Sequence, residues 1–295
     1  MYDVISAGQA VLDCITRGRE SAPYKPNVYR AESIGLHIGG DAVNESVALA
    51  GLGLNVAAVC GLGRDIAGNI IADELRRAGV HTERVRRADI ATPIANLQVA
   101  TDGSRISVNS PATRLRGFQI DPEDVKGARV VSLASLFRPP LEDFDAVAAL
   151  IRSAKEAGAI VCADTKLPLT EALSLDGLAD MLPLIDYMFP NEKEAAYYTG
   201  KTELPEMAKA LRGRGVKNVI VKAGPEGCYA LGDEGAYALP AVPVPNVVDT
   251  TGAGDNFVAG FIAGILKGGS LKDCAEMGLR QAAAAITHAG GAAGR

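Results

Sequence analysis

The stretch VVDTTGAGDNFVAGFIAGIL, Val247 to Leu266, places two threonines and Gly-Ala-Gly ahead of an aspartate and a long apolar run. A Gly-rich turn that opens a helix aims several free backbone N–H groups at one point, and the helix dipole makes that point attractive to an anion. Asp255, in the first turn of the same helix, is odd company for an anionic ligand. The two are compatible if the carboxylate removes a proton while the amides hold negative charge. A plain helix cap is the simpler reading of a lone aspartate after glycine, so the rest of the chain has to decide.

Around this stretch, apolar β-rich runs alternate with helical patterns: NVAAVCGLG before AGNIIADELRRAG, ARVVSLASL before DFDAVAALIRSAKEAG, AIVCAD, YMFP before NEKEAAYYTG, and NVIVKAG. Short continuous strands separated by amphipathic helices imply an α/β fold whose parallel sheet is covered on both faces. Two regions break the rhythm, LDCITRGRESAPYKPNVYRAESIGLHIGG and TPIANLQVATDGSRISVNSPATR, with polar and apolar residues alternating between turn signals. They are expected to form strands outside the main sheet, at about 12–38 and 92–110, assembling into a discontinuous β lid on a single domain spanning 1–295.

The chain has 295 residues, enough to bury a substantial core, and with 48% hydrophobic and 22% charged residues it reads as globular. A net charge of -5 makes nucleic acid an unsuitable partner. Cys14, Cys60, Cys162, Cys228 and Cys274 are scattered, without a C-x-x-C pair or a histidine at ligand spacing, and are expected to be buried thiols in a reducing compartment. The start, MYDVISAGQAVLD, lacks a basic region followed by a long apolar one, and no stretch reaches membrane-spanning length. The expected location is the cytoplasm, with no membrane partner.

No G-x-x-x-x-G-K-[ST] occurs, so phosphates would need another cradle. GLGRDIAG, Gly61 to Gly68, follows a strand and opens a helix, but Ile66 stands where a dinucleotide fingerprint needs its third glycine. HIGGDAVNESVALAGLG sets Gly39 and Gly40 before a helix whose first turn presents Asp41 and Asn44, donors and acceptors suited to a neutral polyol. FPNEKEA holds Asn191 and Glu194 three apart at a strand-to-helix junction, which serves either a cap or hydrated Mg²⁺. VKAGPEG follows a strand, with Lys222 before Gly224 and Gly227 in a turn where backbone and phosphates can approach closely.

Taken in this order, the four segments resemble the ribokinase-like (PfkB) carbohydrate kinase family over nearly the whole chain. The resemblance rests on Gly39, Gly40 and Asn44, on Asn191 and Glu194, on Gly224 and Gly227, and above all on DTTGAGD. It implies a three-layer α/β core with a mostly parallel central sheet and a small β-sheet lid. It also implies transfer of the γ-phosphate of ATP to a hydroxymethyl group of a sugar, sugar acid or nucleoside, usually with Mg²⁺, by a homodimer joined through its lids. In such an enzyme the amides of Gly252, Ala253 and Gly254 stabilise the transferring phosphoryl group, and Asp255 takes the proton of the acceptor hydroxyl. The helix dipole is expected to keep that carboxylate ionised. By the same resemblance Asp13 binds sugar hydroxyls, Lys222 meets the nucleotide phosphates, and Asn191 and Glu194 organise Mg²⁺ through water. Asp249 and Thr251 match half of a monovalent cation site, such as one for K⁺, to which ITHAGGAAG would add backbone carbonyls, while QAAAAITHAGG lies where the family covers the adenine.

Two departures shape the substrate expectation. LFRPP, with Arg138, stands where ribokinases carry a sugar-contacting glutamate, and position 41 is aspartate. Ribose is therefore disfavoured against a fructose-like ketose or a ketodeoxy sugar acid, which Arg105, Arg114 and Arg138 would suit. His37, His81 and His288 form no cluster. The alternatives are a nucleoside kinase, which would need an aromatic base pocket from a chain with 5% aromatics and no Trp, a sugar-binding sensor without catalysis, and a dinucleotide-dependent oxidoreductase.

Overall fold

The computed structural model describes residues 1–21, 27–101, 105–168, 174–288 and 290–292, excluding the side chains of residues 105 and 112–114. The chain begins with β1 (Tyr2–Ala7), leaves the core through β2 (Val11–Ser21), β3 (Tyr29–Arg30) and β4 (Ser33–Gly39), and returns with α1 (Asp41–Gly51) and β5 (Val56–Val59). It continues through β6 (Gly61–Gly63), α2 (Ile66–Arg77) and β7 (Arg86–Ala88), then departs again in β8 (Ile94–Ala100) and β9 (Arg105–Asn109). Next come β10 (Ala128–Leu136), α3 (Phe144–Glu156), β11 (Ile160–Thr165), β12 (Tyr187–Met188), α4 (Glu192–Thr199), α5 (Leu204–Gly213) and β13 (Asn218–Lys222). The hairpin β14 (Cys228–Gly232) and β15 (Gly235–Leu239) and the helices α6 (Ala253–Leu266) and α7 (Leu271–Ala285) complete it.

Eight strands form the central sheet in the order β5-β1-β10-β11-β12-β13-β14-β15, parallel as far as β13 and antiparallel at the hairpin. Side-chain alternation divides its two faces. Ile5, Val131, Val161 and Val219 pack with α3, α4 and α5, while Val4, Val130, Cys162 and Ile220 pack with α1, α6 and α7. Each such Val or Ile, fully buried, contributes about 1.5–3 kcal/mol, which is why these runs read as continuous apolar strands. The glycines of FVAGFIAGIL let α6 approach α7: a Cβ at Gly260 would stand 2.6 Å from Met277 O, and one at Gly264 2.8 Å from Cys274 Cα.

The smaller sheet runs β3-β2-β8-β9, with β4 also paired to β2. β2 is antiparallel to β4 and parallel to β8. Register sets one row of its inner face as His37, Asp13, Ala95 and Asn109. The rows of the opposite face contain Leu36 with Val108 and Ile34 with Ile106. GLGRDIAG is closed by its own chain, because Asp65 caps α2 by accepting from Gly68 N at 2.8 Å and also accepts from Thr92 N at 2.9 Å. Four cysteines are buried, whereas Cys14 is half-buried on β2, and all five are free. No helix among the described residues is long and apolar enough to cross a membrane.

Candidate active site

Because β1 lies between β5 and β10, chain order reverses there, and open α/β sheets form their crevice at the carboxyl ends of strands at such a switch point. Gln9 follows β1, Ser135 is next to last in β10, Asp164 and Lys166 stand at the end of β11, Asn191 follows β12, and Lys222 ends β13. The N-terminal turns of α1 and α6 meet at this crevice: Asn44 Nδ2 donates to Asp255 Oδ2 at 2.7 Å, with both side chains buried. Asn44 Oδ1 is buried without a hydrogen-bond partner.

Asp255 shares its surroundings with Asp41 and Lys166. Lys166 Nζ lies 3.2 Å from Asp41 Oδ1, 3.5 Å from Asp164 Oδ2 and 3.8 Å from Asp255 Oδ1. Asp41 also accepts from Ser135 Oγ at 2.8 Å, and that hydroxyl accepts from Gln9 N at 3.2 Å. Burial lowers the proton affinity of Lys166, but the carboxylates of Asp164, Asp41 and Asp255 overcome it and hold its ammonium well above the usual range. Burial and the neighbouring Asp41 push Asp255 up to about 7. The expectation that the helix dipole keeps Asp255 ionised is therefore corrected, since desolvation and a like charge outweigh the dipole. Asp41 takes the opposite course: burial would raise it, yet Lys166 and Ser135 hold it below the usual carboxylate range. Beneath them Glu45 is fully buried, its carboxyl pushed well above the usual range by desolvation, and accepts from Ser6 Oγ at 3.0 Å.

At the start of α6, Gly252 has φ 72, and a Cβ there would meet Gly291 Cα at 2.5 Å. Of the three amides, that of Ala253 already donates to Thr250 O at 3.3 Å within the turn. Lys222 stands over this turn, because a Cβ at Gly254 would lie 3.4 Å from its Nζ, and the ammonium donates to Asp164 Oδ1 at 2.7 Å. Gly224, at φ 53, has nothing within 4 Å of a Cβ position, while Gly227 is needed for its close approach to Leu239 O of β15. The two glycines thus differ in role: one side of the turn is open to a ligand and the other serves the backbone.

Asn191 and Glu194 form a complete capping box: Asn191 Oδ1 accepts from Glu194 N at 3.0 Å, and Glu194 Oε2 accepts from Asn191 N at 2.9 Å. Thr165 Oγ1 donates to the same carboxylate at 3.2 Å. Burial and the nearby Asp164 raise the proton affinity of Glu194, a pair of crowded hard oxygen donors that a divalent cation would relieve. Among the described residues no three His, Cys, Asp or Glu side chains converge as a metal cage.

On β2, Asp13 is pushed up to about 6 by burial and by the charges of Asp249 and Asp41. Gly39 faces it so closely that a Cβ there would collide with the carboxylate, and a Cβ at Gly40, φ 90, would stand 2.6 Å from Gln9 O. His37 pairs with Asp13 across the strands and lies under Gly290, where a Cβ would be 2.9 Å from its Nδ1. Arg17 Nη2 donates to Asp249 Oδ2 at 2.8 Å, and Thr251 Oγ1 donates to Asp249 Oδ1 at 2.8 Å. The charge of Arg138 is felt by Tyr198, whose hydroxyl donates to Lys166 O. His81 pairs with Glu83 and His288 with Thr287, both exposed. The side chains of Arg105 and Arg114 lie outside the described residues.

Sequence reasoning missed Lys166, Asp164, Ser135, Gln9, Glu45 and Arg17. ADTK at a strand's carboxyl end was the available signal for the first two, because ligands of parallel sheets gather at such ends. A cleft of about 830 Å³ bordered by Ile38, Val47, Ile70 and Ala284 includes none of Asp13, Lys166, Lys222 or Asp255 in its lining.

The sequence profile described as pfkB family carbohydrate kinase matches residues 1–294. An ATP-dependent ribose-1-phosphate kinase of Halopiger xanaduensis is 30% identical over 279 residues, 94% of this chain and 89% of that protein. A 2-dehydro-3-deoxygluconokinase of Bacillus subtilis is 27% identical over 288 residues, 90% of this chain and 87% of its own. Among solved structures, the Arabidopsis thaliana ribokinase complexed with ribose and ATP superposes with a TM-score of 0.81 at 25% identity, covering 99% of this chain and 95% of that one.

Proposed function

The chain belongs to the pfkB family of carbohydrate kinases, and on that premise we propose that it transfers the γ-phosphate of ATP to a hydroxymethyl group of a neutral, fructose-like ketose. It is a phosphotransferase with an alcohol group as acceptor, and kinases of this family use ATP. The observation that supports Asp255 as the base of this transfer is its Oδ2 held by Asn44 at 2.7 Å in the first turn of α6, whose Gly254 lies under the Lys222 ammonium.

In this reading the acceptor lies between the smaller sheet and α1. Asp13 accepts from vicinal hydroxyls, the unpartnered Asn44 Oδ1 takes one more, and Asp255 removes the proton of the attacking hydroxyl. Lys166 holds Asp255 and Asp41 in place. The N–H groups of Gly252 and Gly254 and the Lys222 ammonium face the phosphoryl group in transit, so positioning and electrostatics supply most of the acceleration. Asn191, Glu194 and Asp164 would hold a hydrated Mg²⁺ through water, and the ion would there supply charge neutralisation of the phosphates. The smaller sheet serves as the lid, and the exposed Ile34, Leu36, Ile106 and Val108 of its outer face support the lid-to-lid homodimer.

Charge favours a neutral acceptor. Asp41, Asp164 and Asp255 gather around the Lys166 ammonium, Lys222 is paired with Asp164, Asp13 adds a further carboxylate beside Asp41 and Asp249, and Arg17 is committed to Asp249. A ketodeoxy sugar acid is the second reading, favoured by the Bacillus subtilis relative. ADP release from MgATP across pentoses, ketohexoses, ketodeoxy acids and nucleosides tests it: the expected result is turnover with a ketohexose. Selective turnover with a sugar acid would favour the second reading, and selective turnover with a nucleoside would overturn both.

A further inference from the structure

We propose that Arg17 is a built-in cation of the anion-hole loop, whose guanidinium occupies Asp249 in place of a monovalent metal ion, so that phosphoryl transfer proceeds without K⁺. The proposal rests on the kinase reading for what the loop does, and on the contacts of Asp249 for the rest.

Arg17 lies four residues after Asp13 on β2, so the two project from the same face of the strand. A bulge follows at once: register shifts between Arg17 and Arg19, with Gly18 at φ 64. Such bulges re-aim the side chains beside them. The guanidinium spans two groups of one loop, Asp249 Oδ2 at 2.8 Å and Val248 O at 3.0 Å. This is a bond from the smaller sheet to the segment that leads into α6.

Asp249 is 3% exposed, and its two oxygens are fully engaged. Oδ1 accepts from Thr251 N at 3.0 Å and Thr251 Oγ1 at 2.8 Å, and Oδ2 accepts from Gly290 N at 3.1 Å and from Arg17. Four donors meet the roughly four lone-pair sites of a carboxylate, leaving none for a metal. Of the carbonyls expected to complete a cation site, that of Ile286 accepts from Val248 N at 2.8 Å and from Asp249 N at 3.3 Å. The counter-charge of Asp249 is the Arg17 guanidinium, whose Nη2 lies 2.8 Å from Oδ2. Asp249 and Thr251 therefore do not fit a monovalent cation while Arg17 is in place. Arg17 acts through Asp249 and is a positioning residue.

The test compares wild type, Arg17→Ala and Arg17→Lys in potassium chloride and in tetramethylammonium chloride at equal ionic strength, by ADP formation and by thermal melting. Wild type should differ by less than about twofold in turnover between the salts, since it needs no bound metal. Its melting temperature should be the same in both. Arg17→Ala should lose at least about tenfold in turnover because a buried carboxylate is left unpaired. Its melting temperature should become K⁺-dependent, and Arg17→Lys should recover part of the loss. A wild type activated severalfold by K⁺ and melting higher in it would overturn the proposal, as would an Arg17→Ala protein identical to wild type in both salts. If no preparation forms ADP, the kinase reading fails, while the melting comparison still decides the role of Arg17.

Discussion

Asp255→Asn should stabilise the fold while disabling the enzyme. Burial and Asp41 raise the Asp255 carboxyl from 3.8 to about 7. Between those pH values the folded chain keeps a proton that the unfolded chain has released, so this contribution is greatest below pH 3.8 and is lost as pH rises through about 7. Above that, holding the ionised carboxylate costs about 4 kcal/mol, from about three pKa units at 1.4 kcal/mol each. An amide at this position carries no charge, and its oxygen still accepts from Asn44. At about pH 8 the variant should therefore be more stable by about 4 kcal/mol, which for a chain of this size raises Tm by about 6 °C. At about pH 5, where wild type is mostly protonated, the advantage should shrink to about 2 kcal/mol. Calorimetry or urea unfolding at the two pH values measures this directly. A variant no more stable than wild type at the higher pH, or a gain that ignores pH, would refute the reasoning that the active site stores this strain.

Because the base works only when ionised, kcat/KM should climb with pH through about 7 on its acid side, measured by ADP release with acceptor below KM. Gly254→Ala sets a methyl 3.4 Å from Lys222 Nζ, without a backbone clash, so turnover should fall by about tenfold with Tm within about 2 °C of wild type. An equal loss of folded protein would mean that this glycine serves the backbone alone. Asp13→Asn should raise KM for the acceptor by about 10- to 100-fold with less change in kcat, as expected for losing charge-assisted hydrogen bonds to bound hydroxyls. A loss confined to kcat would move Asp13 out of the acceptor pocket.

How much could be read in advance depended on distance along the chain. DTTGAGD carries its chemistry within seven consecutive residues, and a Gly-rich turn opening an apolar helix has one structural meaning, so the helix start and the place of Asp255 were legible. The α/β class followed from β-branched runs whose successive residues, such as Val130 and Val131, feed opposite faces of the sheet. The charge state of Asp255 was not legible, since it depends on Asp41 and Lys166, brought in by α1 and β11 through the order of strands in the sheet. Lys166 carries only the signal of its place after ADT at the end of a strand, and a lysine there is commonly solvated. Arg17 sat in an alternating stretch with the look of a surface hairpin, and only the bulge at Gly18 and the docking of the smaller sheet on the loop turn it toward Asp249. Asn191 and Glu194 were legible as a pair, and the capping box they form is the reading that local spacing predicts.

Whether Asp255 is the base of a phosphoryl transfer to a hydroxyl is decided by single-turnover ADP formation with the best acceptor in wild type and Asp255→Asn. Both dissociation constants, for ATP and for acceptor, should be measured on the same preparations. Loss of the base should slow the chemical step by about two to four orders of magnitude with both constants within about threefold of wild type. Wild-type turnover in the variant would contradict it.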